Sequence, residues 1–181
     1  WVLLLLGGSR SSRPPGGAEE QEPAGGALEV SLQLPPLRPS DDGSFVCSVT
    51  APRGHAQQVL RLRVIAPPRV SVVPSPLVLL PGVPAELRCD AVGFFPLDVG
   101  IRWERHHGVG GSRRALPVPA GDTWSSGHRR AADGSFGRSA GLRVTRAEHG
   151  DSYDCVVTHP AWGEPSRVSV GVEVAGEEGG G

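Results

Sequence analysis

The 181-residue chain is 38% hydrophobic and sets 18 basic side chains against 19 acidic ones, for a formal net charge of −1. That balance excludes the strongly basic footprint of a duplex DNA binder. The longest apolar run, Trp1 to Leu6, falls far short of the ~18 residues of a membrane helix and lacks the charged flank of a secretory signal.

With 26 Gly and 18 Pro, the chain is too rich in turns for a helical bundle and favours short strands. Methionine, lysine and asparagine are absent, so every fixed cation is an arginine and no Asn-linked glycan can attach. The opening on Trp1 in mid-pattern and the close on Gly176 to Gly181 lead to the expectation of a fragment of a longer protein.

Residues 7 to 26 are Gly-, Pro- and Ser-rich, too polar to offset chain entropy, and read as a flexible loop. Leu28, Val30, Leu32 and Leu34 then alternate with polar residues as a half-buried strand ended by Pro35-Pro36. A second strand carries Phe45, Cys47 and Val49. After a turn at Pro52-Arg53-Gly54, a third places Leu60, Leu62 and Val64 inward and Arg61 and Arg63 outward. Ala66-Pro67-Pro68 reads as a linker.

The pattern restarts at Arg69. Val70 and Val72, then Leu77 and Leu79, form a first strand broken by Pro74 and Pro76. Alternating runs follow through Ala85 to Ala91, Val99 to Trp103, Leu142 to Val144, Tyr153 to Val157 and Val168 to Val174. Turn signals at Pro81-Gly82, Gly110-Gly111 and Asp133-Gly134 separate them. Short strands of this kind, without helical period, predict an all-β antiparallel sandwich. Asp42-Gly43-Ser44-Phe45 and Asp133-Gly134-Ser135-Phe136 are identical tetrapeptides in non-equivalent places: the first leads into a Cys-bearing strand, the second is a hairpin turn.

Cys89 and Cys155 occupy inward positions of the second unit, with Trp103 inward on the strand after Cys89 and Tyr153 two residues before Cys155. This order resembles the framework of an immunoglobulin domain, and on it Cys89 is expected to pair with Cys155 across a core holding Trp103 and Tyr153. Cys47 ends Asp41-x-Gly43-x-Phe45-x-Cys47, which resembles the penultimate strand of a variable-type domain. Its expected partner lies upstream, the alternative being a free buried thiol, unpaired in this chain. Disulfide positions in both units imply an oxidising compartment.

Tyr153-Asp154-Cys155-Val156-Val157-Thr158-His159 resembles the constant-type motif, and Gly93-Phe94-Phe95-Pro96 its corner after the first cysteine. His159 is then a fold residue. Four stretches are similar to the tapasin and tapasin-related protein family: Pro67 to Ser71, Gly93 to Val99, Trp124 with Asp133-Gly134-Ser135, and Val172 to Gly176. The resemblance covers residues 28 to 176.

The organisation it implies is a truncated start and flexible loop over 1–26 and the last strands of an incomplete variable-type domain over 27–66. A linker at 67–68, a constant-type domain over 69–175 and a flexible tail over 176–181 complete it. It implies a non-enzymatic, cofactor-free chaperone part that binds the MHC class I heavy chain and beta-2-microglobulin during peptide loading. The location would be the endoplasmic reticulum and secretory pathway, with a membrane anchor after Gly181. A cell-surface or soluble immunoglobulin receptor or adhesion protein is the alternative.

For docking, Trp124 to Arg130 is the candidate segment. Arg129 resembles the family arginine before the Asp-Gly-Ser turn, Arg130 stands where the family has a histidine, and His128 adjoins them. An exposed arginine at a sheet edge grips a carboxylate through two parallel donors. His106-His107 reads as a solvated loop rather than a metal pair, because neighbours on a strand face opposite ways. Arg113-Arg114 reads as a loop charge pair. No CxxC, HExxH or G-x-S-x-G motif is present, so the sequence carries no enzyme signature.

Overall fold

The computed structural model describes residues 2–7, 10–11, 19–21, 29–31, 33–51, 54–107 and 115–176. The chain divides into two compact units, Trp1–Val64 and Ile65–Gly181.

The first unit contains β1 (Val2–Gly7), β2 (Arg10–Ser11), β3 (Glu19–Gln21), β4 (Glu29–Ser31), β5 (Gly43–Ala51) and β6 (Gly54–Leu62). One antiparallel sheet runs β2-β1-β5-β6, and β3 pairs with β4 separately. Most of the expected loop over 7–26, the flanking Leu28 and Leu32, and the turn residues Pro52 and Arg53 lie outside the described residues.

The inward row expected on β6 is not buried. Leu60 is 48% exposed, Leu62 and Val64 are half-buried, and Val59 on the opposite side is 65% exposed. Alternation encodes which side chains share a face, not whether a second layer covers it. Cys47 opposes Leu5 in the ladder and its thiol is unpaired.

The second unit contains β7 (Arg69–Val73), β8 (Leu77–Leu79), β9 (Ala85–Phe94), β10 (Gly100–His106), β11 (Ala115–Pro117), β12 (Thr123–Ser125), β13 (Arg129–Arg130), β14 (Phe136–Val144), β15 (Ser152–Thr158) and β16 (Ser166–Val174). Two sheets face each other, β12-β14-β9-β7 with β13 on β14, and β11-β10-β15-β16-β8. The sandwich predicted from the alternating runs is thus present.

The proline-broken first strand joins both layers. β7 pairs antiparallel with β9, and beyond Pro74 and Pro76 β8 pairs parallel with β16. Prolines have no N–H to give a ladder, so they occupy the crossing rather than either strand.

Inward residues of both layers form one core of Leu77, Leu87, Cys89, Phe94, Trp103, Leu142, Tyr153, Cys155, Val157 and Val170, among others. Cys89 and Cys155, both fully buried, are disulfide-bonded with their Cα atoms 6.4 Å apart. They stand on the central strands of opposite sheets, so the bond ties the layers together. Trp103 opposes Cys155 across the β10–β15 ladder.

His106 departs from the solvated loop expected for His106-His107. It ends β10 on the outer face, is only 8% exposed, and places Nε2 3.1 Å from Asp154 Oδ2. The pattern read from Val99 to Trp103 stopped too early because Glu104 and Arg105 carry no apolar signal.

His107 lies beyond the strand and turns to Asp151, Nδ1 to Oδ1, at 2.7 Å. Asp151 is 1% exposed and also accepts from the Glu148 backbone N–H at 3.0 Å and from Arg105 Nη2 at 2.6 Å. Burial alone would raise its pKa. The Glu148 N–H, Arg105 and His107 outweigh burial and hold the carboxyl below its usual range.

Replacing Cys89 and Cys155 together by alanine is expected to lower unfolding free energy by about 4 kcal/mol. That follows from the chain-entropy cost for residues 66 apart in sequence, read by urea titration. A depressed native pKa at Asp151 means its stabilisation is complete above the unfolded value of about 4 and lost as pH falls through the native one. Asp151→Asn should cost about 1–3 kcal/mol at neutral pH. It should also flatten the acid limb of stability against pH. A variant with an acid limb as steep as the parent's would exclude Asp151 as its source.

Candidate functional site

The candidate segment borders the sheet built on β9 and β14. Register decides which of its side chains meet. Leu142 opposes Leu87 and Ala140 opposes Cys89, so these point into the core, whereas Gly141 opposes Arg88 and Ser139 opposes Asp90 on the outer face. Down the middle of that face β14 therefore presents Gly137, Ser139 and Gly141, a shallow track flanked by longer side chains.

Trp124 of β12 opposes Gly141. A Cβ at Gly141 would fall 2.1 Å from Trp124 Nε1, so the indole rests directly on glycine backbone. Its Nε1–H donates to Glu86 Oε1 at 2.8 Å, which fixes the ring's lateral position.

Ser139 is the hub of the neighbouring network. Its hydroxyl donates to Asp90 Oδ1 and accepts from Arg129 Nη2 at 2.7 Å and from Arg88 Nη2 at 3.3 Å. One donor and two lone pairs are thereby used. Ser126 Oγ accepts from the Ser139 backbone N–H at 2.9 Å and from Arg129 Nη1 at 3.4 Å. Arg88 also pairs with Asp90 at 3.0 Å. Burial would lift the Asp90 carboxyl, but Ser139, Arg88 and Arg129 hold it below its usual range. Two exposed guanidinium groups thus share one carboxylate, leaving surplus positive charge on an ordered patch.

Of the three sequence-predicted binding residues, only Arg129 joins this patch. Arg130 lies with its guanidinium 6.0 Å from the Phe136 ring centroid, and His128 meets Phe94 edge-on at 6.3 Å. Adjacent residues of β13 diverge, so one arginine faces the network and the other the aromatic cluster at the end of the sandwich. Ser126 belongs to the candidate segment, but Arg88, Asp90 and Ser139 were missed as site residues. They come from two strands, β9 and β14, distant in sequence from each other and from Arg129, and no local spacing joins them; only the outward positions of Arg88 and Asp90 were legible.

His159 Nε2–H donates to Pro96 O at 3.1 Å, its Nδ1 accepts from the Ala161 N–H at 3.2 Å, and the ring packs on Phe94. Arg113 and Arg114 lie outside the described residues.

The opposite outer face gathers Glu104, His106 and Asp154 closely enough to suggest a cation site. Their groups are engaged, however. Arg167 and Arg102 hold Glu104, the hydrogen bond from Arg167 foremost in keeping its carboxyl ionised to low pH, while Ser169 donates to Asp154 at 2.6 Å. The arginines already neutralise the charge a metal would need.

An immunoglobulin C1-set domain model matches residues 70–162. Tapasin of Gallus gallus is 47% identical over 157 residues, 85% of this chain and 36% of that protein. Tapasin-related protein of Homo sapiens is 35% identical over 153 residues, 83% of this chain and 31% of that protein. The chain therefore spans about a third of the length of the curated relatives it matches. Among solved structures, the crystal structure of Rst D1-D2 superposes with a TM-score of 0.61 at 20% identity, covering 95% of this chain and 84% of that one, a likeness of fold.

Gly141→Ala is expected to lift Trp124 off the sheet and to cost about 1–3 kcal/mol of stability, because the new methyl meets a ring held by Glu86. Urea denaturation reads the cost and Trp124 fluorescence the displacement. An unshifted midpoint would show that the ring is not held there.

Proposed function

Since the chain belongs to the immunoglobulin C1-set family and is homologous to tapasin and tapasin-related proteins over most of its length, we propose that it serves MHC class I peptide loading as a docking module. The observation that carries this reading is the 47% identity to chicken tapasin over 85% of the chain. The partners are the class I heavy chain and beta-2-microglobulin, met in the endoplasmic reticulum or secretory pathway. The role is non-enzymatic. On this reading residues 27–66 are the last strands of a variable-type domain and residues 69–175 the constant-type domain that docks.

The physical mechanism is preferential binding. A chaperone that binds the peptide-receptive conformer more tightly than the filled one raises the receptive population and releases when tight peptide removes it. The outer face around Ser139 suits the docking part of that task. Its hydroxyl positions Arg129 and Arg88, and a guanidinium held in place loses less entropy when it meets a partner's carboxylate. Arg129 is the expected main contact. Arg130 and His128, drawn toward aromatic rings, are expected to contribute less.

Arg129→Glu should weaken capture of peptide-receptive class I at least tenfold in a surface-binding assay, because it opposes like charges across the contact. Arg130→Glu should weaken it less. In pull-downs the full-length protein should retain receptive class I more strongly than peptide-filled class I. Equal retention of the two forms would remove the chaperone reading, and unchanged affinity in Arg129→Glu would remove that residue from the contact.

A further inference from the structure

Pro67 and Pro68 lie between two attachments within the second unit. Before them, the Ala66 N–H donates to Phe95 O at 2.9 Å and the Phe95 N–H donates to Ala66 O at 3.0 Å, a reciprocal pair outside any strand. After them, Arg69 opens β7 opposite Val92. Pro68 is buried, and Phe95 is held by its ring as well, stacked on Phe136 with centroids 6.0 Å apart. A segment tied at both ends, with two φ angles fixed by proline rings, is poorly suited to act as a flexible spacer.

The first unit holds its own end by a different device. The β5–β6 ladder ends with Gly43 opposite Leu62, and Asp42, the residue before Gly43, extends it with a side chain. Its Oδ1 accepts from the Val64 N–H at 2.8 Å. The two Asp-Gly-Ser-Phe tetrapeptides therefore use their aspartates differently. Asp133 takes the Ser135 N–H inside its own turn at 2.9 Å, whereas Asp42 reaches 22 positions along the chain. Between Val64 and Ala66 stands Ile65, 54% exposed, whose backbone forms no hydrogen bond among the described residues.

We propose that Ile65 is a single-residue hinge joining the two units and that Asp42 is the latch that sets its length. The peptide planes carrying the Val64 and Ala66 N–H groups are anchored, so the torsions left between them are φ and ψ of Val64 and Ile65. Val64 is half-buried as well as latched, and bending falls on Ile65. Both residues are β-branched and favour extended backbone, which keeps the hinge stiff. Releasing the latch would lengthen it back to Leu62, the last rung of the ladder. The hinge rests on bonds inside each unit and stands or falls separately from the docking reading.

The test is ¹⁵N relaxation and amide hydrogen exchange on the labelled 181-residue chain. The backbone order parameter should drop toward about 0.6 at Ile65 alone and stay near about 0.85 at Val64, Ala66 and Arg69. The Val64 and Ala66 amides should exchange at least about tenfold more slowly than that of Ile65. Asp42→Ala should remove the Val64 protection and spread the drop over Arg63 to Ile65, with Ala66 unchanged. Asp42→Asn, which keeps an accepting Oδ1, should retain the protection. Replacing Pro67 and Pro68 together by alanine should leave Ala66 protected. A drop running on through Ala66 to Arg69, parental Val64 protection in Asp42→Ala, equal loss in Asp42→Ala and Asp42→Asn, or loss of Ala66 protection in the double proline variant would each overturn the proposal. The Ala66 readings lie wholly in the second unit and decide even where Asp42→Ala unfolds the first.

Discussion

The second unit depends on one covalent constraint across two sheets. Cys89 and Cys155 stand on the central strands of facing layers, and their bond fixes which residues of β9 and β15 oppose each other through the core. With that alignment set, Trp103 packs beside the bridge and the inner faces fill with Leu87, Leu142, Tyr153 and Val170. The outer faces follow automatically, because every residue next to a core position must point away from it. Ser139 reaches Asp90 only because Ala140 is committed to the layer that holds Cys89.

The two outer faces then diverge in chemistry. Around β15 the charges close on themselves. Arg102 and Arg167 both grip Glu104, and Asp154 is shared by His106 and Ser169. Val156 beneath them is fully buried even though it points outward. Around β14 the account does not close. Arg88 and Arg129 converge on a hydroxyl and a single carboxylate, while Glu86 on the same face is turned to Trp124. A balanced network supports the fold, and an unbalanced one on a rigid sheet invites a partner.

Much of this fold was legible in the sequence because strands with one wet face must alternate. The runs ending in Val157 and Val174, and the placing of Cys89, Trp103, Tyr153 and Cys155, follow from period two alone. β14 was legible only at Leu142 to Val144, although it begins at Phe136. Gly137, Ser139 and Gly141 occupy its outer positions, and residues so small look like loop rather than strand. His106 was misread for a related reason: its burial is achieved by Asp154, a residue 48 positions away, which no local pattern can announce. The row ending at Val64 shows the converse, a correct-looking apolar face for which alternation supplied no cover. The candidate site was legible at Arg129, whose neighbours in space were not, because cross-strand register is a tertiary quantity.

The sheet-switching first strand has a mechanical consequence. β8 runs parallel to β16, the last strand of the unit, through three residue pairs, and the Ala175 N–H extends the contact to Leu79. Tension drawn between the two ends of the unit would therefore load those rungs together, in shear, instead of peeling them one after another. A chain threaded in this way resists extension at its termini.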